Sequence, residues 1–216
     1  MRGEKPWGWG AFRWSSLKFK KTKLSPEKIG AVGFSSKELM KNFESQPTQP
    51  APESHGYQTL LAHLRGREII FASREEELLV CATFTQTTGT FSSYFFIGQN
   101  DDYFAAVVEM PTKVPAHTYP AVLELINRIN CSQSLGHMEL QMESGVLHFG
   151  VSTRYPQGHL DDGVIEMMII GALQSADHFY PPLMRVLYGG ETPKDALEEN
   201  EQQRLLSGEN RMPFAG

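Results

Sequence analysis

Seven histidines, two cysteines and twenty-five acidic residues are the side chains from which catalysis or metal binding would have to be built. The histidines (His55, His63, His117, His137, His148, His159 and His178) show no H-x-x-x-H or related ligand spacing. The tightest grouping, His159-x-Asp161-Asp162, could hold a small cation or act as an acid–base group. It reads more simply as a polar loop leading into a helix cap. Cys81 and Cys131 give neither a disulfide framework nor zinc spacing, and no neighbouring base marks either as a nucleophile. Both read as structural. Gly30-Ala-Val-Gly33 lacks the Lys-Ser/Thr ending and the preceding strand of a phosphate loop, and no Gly-x-Ser-x-Gly elbow occurs. Glu75, Glu76 and Glu77 suit a solvated turn. The expectation is a chain that is not an enzyme, with no catalytic residue, metal or cofactor.

Two groups of residues could instead hold a macromolecule. Tyr94-Phe-Phe96 and Tyr103-Phe104 could form a stacking platform for single-stranded nucleic acid. They sit in the acidic part of the chain, however, so core packing and protein binding are the better readings. Charge is unevenly divided: residues 1–41 carry ten Lys/Arg against three Asp/Glu, net +7, and the remainder is net −12. The basic lobe also holds all three tryptophans, Trp7, Trp9 and Trp14. It is expected to be a poorly ordered extension. The alternatives are binding to nucleic acid or an anionic membrane surface through residues 1–41, or folding onto the domain.

Hydrophobic residues at 40% and charged residues at 21% are globular values. The longest apolar run, 164–173, is too short to cross a bilayer, and no apolar signal follows the early charges. A cytoplasmic protein is expected. Four regions follow: a basic extension over 1–45, with a capping-box pattern at Ser35 and Glu38; a Pro-rich linker over 46–56; a folded domain over 57–190, ended by Gly189-Gly190; and an acidic tail over 191–216 with one short helix near Thr192-Pro193.

Within the domain, 58–64 reads as a short helix. Strands follow at 67–73, 78–85, 93–98 and 103–110, with a long Thr/Ser/Gly connection over 85–93 and a break at Pro111 to Pro115. A helix from Tyr119 has Pro120 in its first turn, a buried stripe of Val122, Leu125, Ile126 and Ile129, and a Glu124–Arg128 pair on its wet side. Ser144-Gly145 suits a two-residue hairpin turn. That register sets Met142 against Leu147, Leu140 against Phe149 and Met138 against Val151 on one apolar face. Asp161 or Asp162 then caps a long helix with Ile165, Met168, Ile169, Ala172, Leu173 and Ala176 buried. Pro181-Pro182 should break or kink it.

The order and the residues near Pro115 and Tyr119 resemble the YbjN family, bacterial sensory transduction regulators. The match lies in an apolar strand, a proline-containing loop, a helix with Leu123-Glu-Leu-Ile-Asn127-Arg-Ile-Asn130, then a hairpin and a closing helix, over about 57–189. The resemblance implies a fold like that of class I type III secretion chaperones: α+β, an antiparallel sheet with helices on one face, in the order α-β-β-β-α-β-β-α with room for one extra strand. It also implies a binding or regulatory role with a protein partner. Tyr119 and Leu123 widen the apolar arc of their helix beyond what one sheet needs. They are the candidate partner-binding residues, in a homodimer or against another protein.

Overall fold

A computed structural model describes residues 54–207. The basic lobe, the Ser35–Glu38 pattern, Gly30–Gly33, linker residues 46–53 and the tail beyond Ser207 lie outside the described residues. Four strands come first after the opening helix, so the extra strand is present. The elements are α1 (His55–Gly66), β1 (Phe71–Arg74), β2 (Leu79–Thr85), β3 (Thr90–Ile97), β4 (Tyr103–Lys113), α2 (Tyr119–Ser132), β5 (His137–Gln141), β6 (Val146–Arg154), α3 (Asp162–Met184) and α4 (Pro193–Ser207).

Alternation along the strands decides the layering, because successive side chains point to opposite faces. All six strands pair antiparallel in the order β1-β2-β3-β4-β6-β5. One face contributes Val80, Ala82, Phe84, Phe91, Phe95, Phe104, Ala106, Val108, Met138, Leu147, Phe149 and Val151 to a single core with the helices. Helix α2 buries the stripe its spacing predicts, Val122, Leu125, Ile126 and Ile129. Helix α3 likewise buries Ile165, Met168, Ile169, Ala172, Leu173 and Ala176. The fold is α+β, an antiparallel sheet with helices on one face.

Helix α1 starts at His55, inside the expected linker. The cause is Asp101, a buried residue in the turn between β3 and β4. Its carboxylate accepts from Ser54 Oγ (3.0 Å), Gly56 N (3.0 Å) and Tyr155 Oη (2.8 Å). Ser54 in turn accepts from Tyr57 N at 3.1 Å, capping the helix. Gly56 has no room for a Cβ, which would collide with Tyr155 Oη and Asp101 Oδ1.

Several expected boundaries move. The first strand is only Phe71–Arg74. The 85–93 connection is not long: β3 begins at Thr90, and a tight turn is closed by Gln86 N donating to Gly89 O at 2.8 Å. Strand β4 does not stop before Pro111 but runs to Lys113. Pairing with β3 ends at Glu109, and the register with β6 shifts between Glu109 and Lys113. Pro111, which has no N–H to give a ladder, falls in that irregular stretch.

The β5–β6 register differs by two residues from the expected one. Met138 faces Phe149, Leu140 faces Leu147, and Gln141 faces Val146. A two-residue offset keeps every side chain on its face, so the alternation could not discriminate between the two. Residues 142–145 make a wider turn with Gly145 N donating to Gln141 O at 2.8 Å. Gly145 sits at φ +70°, and its carbonyl accepts from Val114 N at 2.8 Å. Met142 is therefore in the turn and 47% exposed, not on the inward face.

The Pro181-Pro182 pair does not break α3, which continues to Met184 and then winds through a π turn, Arg185–Gly189. Two prolines deprive the carbonyls one turn back, on Asp177 and His178, of their N–H donors. Both carbonyls are supplied from elsewhere. Thr88 Oγ1 donates to Asp177 O at 3.1 Å, and Asn200 Nδ2 donates to His178 O at 3.1 Å. Asn200 belongs to α4, which is a fifteen-residue helix rather than a short one in a tail. Thr192 Oγ1 accepts from Asp195 N at 3.2 Å and caps it. It packs Ala196 and Leu197 into the core against α2 and α3.

Candidate partner-binding surfaces

Helix α2 carries the first surface. Pro120 and the preceding 3₁₀ turn, Ala116–Thr118, set the entry angle. Tyr119 is half-buried against the core, and its Oη donates to Met142 O at 2.8 Å. Leu123, one turn on, is 43% exposed. The two residues thus separate: Tyr119 latches the helix to the β5–β6 turn, and Leu123 faces water. Exposed Met142 stands at the same latch. It escaped the sequence reading because its residue type and alternation suit an inward position; only the turn length places it outside.

The second surface is the face of the sheet opposite the helices. Pairing aligns Leu79, Phe96, Ala105 and Ser152 in one row, and Cys81, Tyr94, Val107 and Gly150 in the next. A third row holds Thr83, Ser92, Glu109, His148 and Glu139. Leu79, Cys81, Phe96, Ala105 and Val107 form their own apolar cluster, with Tyr94 and Tyr103 packed against it. No described helix belongs to that cluster. The aromatic pairs singled out in the sequence are therefore split, with Phe95 and Phe104 in the main core and Tyr94, Phe96 and Tyr103 on this face. Phe96 and Tyr103 are tilted at 6.1 Å between ring centres.

The polar side of this face is ordered by charge. Glu139 takes His137 Nε2 at 2.6 Å on one oxygen and His148 Nε2 at 3.1 Å on the other. The His137 hydrogen bond, seconded by that from His148, holds the Glu139 carboxyl well below the usual carboxylate range. The same bond raises the His137 imidazolium. Burial pushes Glu109 up, opposed by the Tyr94 Oη that donates to it at 3.2 Å. Cys81 has its thiol pushed up to about 11 by burial, so it is no thiolate at neutral pH.

The chemistry weighed in the sequence is dispersed. Asp161 is the cap of α3, accepting from Gly163 N at 2.7 Å. Asp162 turns to His63 Nδ1 at 3.1 Å, and His159 is exposed. Among the described residues no three His, Cys, Asp or Glu are grouped to hold a metal ion. None of the described helices is long and apolar enough to cross a membrane.

No curated protein matches the sequence. A solved chain in the "Structure of the HopA1-SchA Chaperone-Effector Complex" is similar at 16% identity, over 62% of this chain and 98% of that one, with a TM-score of 0.39. The family model described as "Putative bacterial sensory transduction regulator" matches residues 58–185, from within α1 to the end of α3. The chain belongs to the YbjN family.

Proposed function

We propose that this protein is a non-enzymatic protein-binding module, an adaptor or chaperone-like regulator, that meets its partner through the α2 flank. The observation that carries the reading is the apolar surface beside the latch: Leu123 at 43% and Met142 at 47% exposure, either side of Tyr119. An exposed leucine alone says little. Here two large apolar side chains flank a position fixed by a hydrogen bond, and the helix already has a complete stripe without them. Membership of a regulator family supports a binding role over a catalytic one.

The partner proposed first is a second copy of the chain. Sedimentation velocity on the full chain should show a concentration-dependent dimer. Leu123→Glu places a charge in the contact and should weaken association by about tenfold or more, equivalent to about 1.4 kcal/mol. Its thermal midpoint should stay near that of the wild type, because the side chain contributes little to the core. A wild type that remains monomeric at every concentration would remove the homodimer.

A further inference from the structure

We propose that the basic, tryptophan-bearing segment over residues 1–41 docks on the helix-free face of the sheet, making it an intramolecular ligand of its own domain. The first ground is chemistry. Leu79, Cys81, Phe96, Ala105 and Val107 make one apolar cluster, with Tyr94 and Tyr103 packed against it, to which no described helix contributes.

The second ground is where the chain enters. Ser54 and Gly56 are held by Asp101 in the turn between β3 and β4. The strip formed by Phe96, Tyr103 and Ala105 adjoins that same turn. Residues 42–53 give a twelve-residue tether that can span about 40 Å. Six strands measure about 25 Å across, so the whole face is within reach. A tether this short holds the segment at an effective concentration near the millimolar range, so a modest interface is enough.

The third ground is complementarity. Residues 54–207 contain nineteen Asp/Glu and nine Lys/Arg, net −10, against +7 for residues 1–41. The strip offers aromatic and aliphatic side chains to Trp7, Trp9 and Trp14, while Glu109 and Glu139 lie in the adjoining row for the lysines. The face taken is not the α2 flank, so this inference and the proposed function stand or fall separately.

Trp7, Trp9 and Trp14 are the only tryptophans, so intrinsic tryptophan emission reads the segment alone. In the full native chain the emission should be blue-shifted and resist acrylamide, and unfolding should undo both. Reversing charge in the segment, with Lys18, Lys20, Lys21 and Lys23→Glu together, leaves the domain untouched. It should red-shift emission, raise quenching several-fold and speed alkylation of Cys81 relative to Cys131. Val107→Lys on the strip should do the same with unchanged far-ultraviolet circular dichroism, whereas Leu123→Glu should leave emission unchanged. Fully exposed tryptophans in the wild type, or emission indifferent to both the segment and the strip variants, would overturn the proposal. Protection that vanishes on dilution would replace it with docking between copies. Exposed tryptophans that shift only on adding anionic vesicles or duplex DNA would replace it with an external partner.

Discussion

Asp101 shows how a single polar residue can set a boundary. It adopts φ +53°, a conformation that Asp and Asn tolerate better than other L-residues. From there one carboxylate gathers a serine hydroxyl, a helix N-terminal amide and a tyrosine hydroxyl. Asp101→Ala strands three donors and should cost about 3 kcal/mol in urea unfolding, with Asp101→Asn costing less because it keeps an acceptor and the backbone preference. Glu139 works by charge. Its contribution is present above the unfolded carboxyl value near 4.3 and is lost as pH falls through the depressed folded value. That of His137 is present below about 6.5 and is lost as pH rises through its raised folded value. The pair is therefore strongest between about pH 4.5 and 6.5. Both side chains are about half exposed, so the effect should stay under about 1 kcal/mol. Thermal midpoints of Glu139→Gln should trail the wild type most near pH 6 and converge with it as the pH rises through the raised folded value of His137.

Helices were the most legible elements, because their apolar period is long and their caps are local. The stripes of α2 and α3 and the Glu124–Arg128 pair, at 2.7 Å, fall where spacing put them. Strand faces were equally legible, but pairing offset was not, since an even slip preserves alternation. The candidate site was half legible for the same reason. Leu123 is exposed as its helical position implied, while Met142 depended on turn length. The side chains of the opposite sheet face were visible as the second alternation of β2, Leu79 and Cys81, though not as a cluster drawn from three strands. Nor could sequence alone foresee an uninterrupted helix through Pro181-Pro182. The compensation comes from Thr88 in a distant turn and Asn200 in another helix. Replacing either should isolate a carbonyl. Thr88→Val and Asn200→Ala should each lower stability by about 1–2 kcal/mol in chemical denaturation.

At the scale of the molecule, the family match ends at residue 185, but the packing does not. Arg185 Nη1 donates to Ala196 O at 3.3 Å and Nη2 to Gln203 Oε1 at 3.0 Å, binding the π turn to α4. Ala196 is fully buried and Asn200 nearly so. A chain cut after Gly190 loses these contacts together and should unfold at a markedly lower temperature, by about 3 kcal/mol or more in stability, in a calorimetric scan. The Tyr119 hydroxyl on the Met142 carbonyl has a different kind of consequence. Because the helix and the hairpin tip are already fastened to one another, the leucine and methionine beside them would need no rearrangement to make the proposed contact. An incoming protein would spend little free energy on immobilising that surface, so its grip would depend mainly on how well its own side chains match the contour.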